Sequence, residues 1–162
     1  MKILLAIDGS EHSEFAVGEV ARQRFPAAST VRIISVVEPP YFPGTFSAEG
    51  VDQSFYLGIE TSARDRARAA VEGAVARLRA NEAGRQFNVT TDVISGSPKR
   101  MILEDAEAFG ADLIVVGSHG HGRLERFLLG SVAQAVALHA TCSVEIVRSR
   151  NVRTKTKKEL SR

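Results

Sequence analysis

The chain has 162 residues, 44% of them apolar and 25% charged, which suits one soluble globular domain with a core of its own. A single cysteine, Cys142, excludes an internal disulfide framework and fits a reducing compartment. The formal charge of +2 is uneven: residues 148–162 carry seven Lys or Arg against one Glu, leaving the rest net acidic and arguing against a dedicated nucleic-acid-binding fold.

The apolar run "KILLAI" (2–7) reads as a first strand with Asp8 at its carboxyl end. It is too short for a signal-peptide core or a membrane span, so a cytoplasmic location is expected. Ser10 suits the cap of a helix to about Phe25, with Ala16, Val17, Val20 and Ala21 as its inner stripe. A second strand follows at "TVRIISVV" (30–37). Residues 38–58 are too long for an ordinary strand-to-helix connection and hold three of the five prolines. Phe42, Phe46, Phe55 and Tyr56 there would cover a ligand or meet a partner, and plain disorder is a third option.

A long helix is predicted from about Glu60 to Ala83, with its arginines outward, and a third strand at "FNVTTDVI" (87–94). Ser97-Pro98 opens the next helix and Gly110 closes it. "DLIVV" (112–116) and "SVEIV" (143–147) complete the strands. The alternation of strands and helices predicts an α/β fold with a mainly parallel sheet and right-handed crossovers. Beyond Arg148 no apolar periodicity remains, so 149–162 is expected to be a disordered, solvated basic tail on a domain of residues 1–148.

Between the last two strands lies "GSHGHGRLERFLLGS" (117–131). It follows a strand at the carboxyl edge of the sheet, where open α/β folds bind ligands, and Asp8 should face the same crevice. Neither a P-loop nor a GxGxxG spacing is present. What is present is Gly117-x2-Gly120-x9-Gly130-Ser131. Gly117 and Gly120 leave room for a ring or ribose against bare backbone and permit positive φ. "RLERFLL" (123–129) would make about two helical turns before Gly130. Ser131 then starts a helix whose free amides and positive dipole end suit an anion.

With "ILLAIDGSEHSEFAV", "GSP", "ADLIVVGSHGHG" and "LLGSVAQAV" in place, the chain resembles the universal stress protein family from Met1 to about Arg148. In that family, members that do not bind ATP generally lack the glycine signature. The resemblance implies a single Rossmann-like domain with helices on both faces of a five-stranded sheet of order 3-2-1-4-5. It also implies an adenine nucleotide at the switch point, a homodimer, and a role in stress survival or signalling. Carried over residue by residue, Asp8 matches the acid at the adenine-ribose end, beside the Ala6-Ile7 backbone, and Val36 matches an apolar contact to adenine. Gly117, His119 and Gly120 match the ribose and phosphate loop, which continues through Gly122 and Arg123. Gly130, Ser131 and Val132 match the phosphate cradle. ATP with magnesium on its phosphates is the implied ligand, with Arg123 the nearest cation. Two departures stand out: Ala133 replaces a hydroxyl residue of some ATP-binding members, and Glu145 interrupts the usual apolar run of the last strand.

Plainer readings stand beside these. Asp8 would also order an Asp-Gly turn. His119 and His121 would share a metal only with a third ligand, and no cysteine or carboxylate lies close by in sequence, so no protein-bound metal is expected. His12 and His139 read as surface helix residues, and Cys142 as a small core residue rather than a nucleophile. No general base is identifiable, so a nucleotide-binding regulator ranks ahead of a slow ATPase or autophosphorylating enzyme. A ligand-free interaction module ranks last. Pairing of Ser143–Val147 with its two-fold mate would cover an apolar sheet edge.

Overall fold

The computed structural model describes residues 1–26, 28–39, 53–121 and 129–148. Five strands, β1 (Lys2–Ile7), β2 (Thr30–Val37), β3 (Asn88–Ser95), β4 (Leu113–Gly117) and β5 (Ser143–Val147), form one parallel sheet of order β3-β2-β1-β4-β5. The helices are α1 (Glu11–Arg22), α2 (Gln53–Ala80), the short α3 (Glu82–Arg85), α4 (Pro98–Phe109) and α5 (Ser131–His139). The family-implied topology is therefore the one observed. The central position of β1 comes from chemistry as well as order: Ile3, Leu4, Leu5, Ala6 and Ile7 are all buried, so no face of it is left for water.

Strand alternation divides the core in two. Ile3, Leu5, Ile33 and Val115 pack with Val17, Val20, Val71 and Leu78 under α1 and α2. Leu4, Ala6, Ile34, Ile114 and Val116 pack with Ile102, Ala106 and Val136 under α4 and α5. Each fully buried aliphatic side chain is worth on the order of 1.5–3 kcal/mol relative to exposure. The predicted stripe of α1 (Ala16, Val17, Val20, Ala21) is buried throughout.

Three helix boundaries differ from expectation. α1 ends at Arg22 rather than near Phe25, with Gln23 already extended. α2 starts at Gln53 rather than about Glu60, because nothing in that stretch stops a helix: its one breaker, Gly58, costs about 1 kcal/mol. α2 then stops at Ala80, and α3 turns under it so closely that a Cβ on Gly84 would overlap the Leu78 carbonyl. Phe42 and Phe46 lie outside the described residues, as do the basic tail beyond Arg148 and the expected helical turns of 123–128. No described helix is long and apolar enough to cross a membrane.

Candidate functional site

The carboxyl edge of the sheet opens between β1 and β4, the two strands from which the chain departs in opposite directions. At the end of β1, Asp8 Oδ1 accepts from the Ser10 backbone N–H (2.9 Å) across a turn that Gly9 completes at φ +79°. Ser10 is the N-cap of α1, its hydroxyl accepting from the Ser13 N–H at 3.3 Å. Both the turn role of Asp8 and the capping role of Ser10 are thus present.

From the end of β4 the chain crosses over this turn. The Ser10 hydroxyl donates to the His119 carbonyl (3.4 Å), and His121 Nε2 lies 2.8 Å from the Asp8 carbonyl. A carbonyl only accepts, so that nitrogen carries the proton. The chain returns at Gly130, whose N–H donates to the Ser118 carbonyl at 2.8 Å. Gly130 is the N-cap of α5, and as a glycine it has no side chain with which to cap it. The amides of Ser131, Val132 and Ala133 precede the first intrahelical bond, from Gln134 to Gly130, so the helix presents its donors uncapped.

Gly117, Gly120 and Gly130 serve close approach, not unusual backbone angles. Positive φ occurs among described glycines only at Gly9, Gly96 and Gly110, which corrects the expectation for Gly117 and Gly120. Gly130 sits at φ −61°. A Cβ on Gly117 would lie 2.8 Å from the His12 carbonyl carbon and 2.9 Å from the Ser13 nitrogen. One on Gly120 would lie 2.6 Å from Asp8 Oδ2, and one on Gly130 3.1 Å from both His119 Cα and the Ser118 carbonyl oxygen.

These elements surround a cleft of about 250 Å³. Its polar lining comes from Asp8, Ser13, Gly117, His119, Gly120, Gly130 and Ser131; its apolar side chains are those of Ala6, Ile7, Val36, Val116, Val132 and Ala133. Of the predicted positions, Ala6, Ile7, Asp8, Val36, Gly117, His119, Gly120, Gly130, Ser131 and Val132 line this one space. Gly122 and Arg123 lie outside the described residues. Pro98 and Ile102 of α4 also line it and escaped the sequence reading, as did Ser13 and Val116. A proline at the first helical position with an isoleucine four residues on, one helical turn away, was the available signal.

No Lys or Arg is among the described lining residues, and Asp8 is the one carboxylate there. His119 Nδ1 is 3.1 Å from the Ser118 hydroxyl, while its Nε2 is buried with no partner among the described residues. Buried polar nitrogens are rarely left so. His12, expected on the surface, is half-buried instead, its ring centroid 5.1 Å from that of His119. Among the described residues no cluster of three His, Cys, Asp or Glu side chains suits a metal. Cys142 is half-buried beside the α4–α5 core, where burial first, and Asp112 second, push its thiol above the ordinary range. A thiol held protonated there is a poor nucleophile.

Residues 1–148 match the model of the universal stress protein family. Universal stress protein A homolog 1 of Coxiella burnetii is 33% identical over 144 residues, covering 88% of this chain and 92% of its own. A universal stress protein solved in complex with cAMP is 27% identical, with a TM-score of 0.60 over 91% of this chain and 96% of the other. The universal stress protein UspA of Lactobacillus plantarum shares the fold at a TM-score of 0.73 and 23% identity, over 91% and 97% of the two chains.

Proposed function

The chain belongs to the universal stress protein family, and on that premise we propose that it is a cytoplasmic stress-response regulator that binds ATP in the β1–β4 cleft. One observation carries the reading: a single cleft brings apolar side chains together with an uncapped helix N-terminus and bare glycine backbone. The apolar lining, with Val36, Val116 and the Ala6 backbone, suits a purine ring. The α5 amides suit a phosphate, because their partial positive charge needs no side-chain cation. Gly120 and Gly130 let the loop close on Asp8 and on the start of α5, so the ribose and phosphates that join the two would meet bare backbone. The cAMP-bound relative carries the same adenine and ribose.

Magnesium on the phosphates supplies the positive charge that the described lining lacks. Asp8, His119 and Gly117 complete the proposed site, and Gly122 and Arg123 extend it along the loop. Calorimetry with ATP and GTP, each with and without magnesium, tests the reading. Tighter binding of ATP, strengthened by the metal, is expected; equal affinities would remove the adenine assignment. Ser131→Ala should weaken ATP by about 1.5–3 kcal/mol, the worth of a hydrogen bond to a charged group.

We further propose a homodimer through the free edge of β5, which among the described strands pairs only with β4. Glu145 is already engaged within its own chain. Its side chain is half-buried on the α1 side of the sheet, where Oε1 accepts from Gln23 Nε2 at 2.8 Å. Light scattering at micromolar concentration should report twice the chain mass, and a monomer would remove the edge pairing. The proposed folded unit is 1–148, so a chain ending at Arg148 should keep its melting temperature and its ATP affinity; loss of either would show the tail to be docked.

A further inference from the structure

On the α4–α5 side of the sheet, Arg32 sits in the same row of β2 as Ile34 and Val36, about 13 Å below Val36 at ~3.3 Å per residue. Its guanidinium meets Asp105 of α4 with two bonds, Nε to Oδ2 at 2.7 Å and Nη2 to Oδ1 at 2.8 Å. A third bond, Nη2 to Asp92 of β3 at 3.1 Å, steadies the guanidinium from the neighbouring strand. Both main partners are largely shielded, with 20% and 14% of their side-chain surface exposed. The carboxylates, Asp105 foremost, hold the Arg32 proton more tightly than usual, against the opposing effect of burial.

Among the described ion pairs, this is the one that joins α4 to the sheet; Arg100–Glu104 stays within the helix. Asp105 lies three residues after Ile102, less than one helical turn along α4. Ile102 and Pro98 are in turn the α4 residues that line the cleft together with Val36, which packs in the same apolar cluster as Ile102. A forked, planar guanidinium holds a carboxylate at one distance and one angle, which a lone apolar contact does not.

We propose that the Arg32–Asp105 pair sets the width of the cleft by fixing α4 against the sheet, and so makes the site selective for the size of the base. The inference rests on the nucleotide reading of the cleft. Arg32 acts here as a positioning residue, since it is not among the residues that line the cleft. Without the fork, the polar tie of α4 to the sheet that remains is at its far end, where Lys2 Nζ donates to the Phe109 carbonyl at 2.9 Å, and the cleft end of the helix moves outward when a larger ring enters.

The test compares the affinity of ATP with that of an ATP analogue bearing a benzyl group on the adenine N6, in the parent chain and in Asp105→Ala. In that variant Arg32 keeps Asp92, and alanine suits a helix, so the fold is not left with an unpaired buried charge. The parent should prefer ATP, and the variant should lose roughly tenfold of that preference, the scale on which apolar pockets discriminate by size. A merely structural role would weaken both ligands in parallel and leave the ratio within about twofold, which would overturn the proposal. Arg32→Met/Asp105→Leu, with the pair replaced by apolar groups, should relax the ratio likewise; an unchanged ratio in that variant also overturns it. A parent chain that binds ATP but ignores the benzyl group overturns this inference alone. A parent that binds no adenine nucleotide overturns the cleft assignment with it.

Discussion

Gly130→Val is expected to abolish ATP binding while the chain still unfolds in one cooperative step. The backbone at Gly130 (φ −61°, ψ 150°) is open to any residue, so the loss does not come from strain. It comes from space. A Cβ alone would already stand 3.1 Å from His119 Cα and from the Ser118 carbonyl oxygen, and the two methyl groups of valine reach further. The loop 118–120 would have to withdraw from the first turn of α5, parting the glycine backbone from the uncapped amides that together make the polar lining of the cleft. A loss of at least about 100-fold follows, or about 2.8 kcal/mol at 1.4 kcal/mol per factor of ten. Calorimetry reads the affinity and a thermal melt reads the fold. Parent-like binding in Gly130→Val would show that the phosphates lie elsewhere.

Gly117→Val should damage the fold itself. A Cβ at this position would lie 2.8 Å from the backbone carbon of His12 and 2.9 Å from the Ser13 nitrogen, atoms of the first turn of α1. Backbone cannot rotate out of the way as a side chain can. The start of α1 must lift from the end of β4, loosening a helix whose Val17 and Val20 are fully or almost fully buried. Overpacking of this kind costs about 3 kcal/mol at its upper end. For a chain of this size that is roughly 6–12 °C in melting temperature. An unchanged melting temperature would mean that the first turn of α1 yields freely. Here the sequence reading assigned a glycine to the ligand, while the structure shows it also making room for a helix.

The contrast between these two glycines illustrates what was legible beforehand. Local chemistry determined the elements. Short, nearly unbroken apolar runs between turn residues read as strands buried on both faces, and Ser10, Ser97-Pro98 and Gly110 mark helix ends because caps, fixed φ and left-handed angles are properties of single residues. The alternation of those elements leaves few topologies, and the glycine spacing after β4 pointed to the carboxyl edge of the sheet. The candidate residues of β1, β2, β4 and the α5 N-terminus therefore converged on one cleft without knowledge of any distance.

Tertiary structure decided whatever depends on two segments remote in sequence. Only the packed molecule shows that Gly117 lies under α1, that His119 meets His12, and that Glu145 is held by Gln23 rather than facing the free edge of β5. Pro98 and Ile102 become cleft walls only when α4 is laid on the sheet, where Arg32 and Asp105, 73 residues apart, close on each other. The physical reason is the same throughout. Strand and helix signals are written in neighbouring residues, whereas a contact between distant residues is chosen by how two surfaces fit once burial has drawn them together.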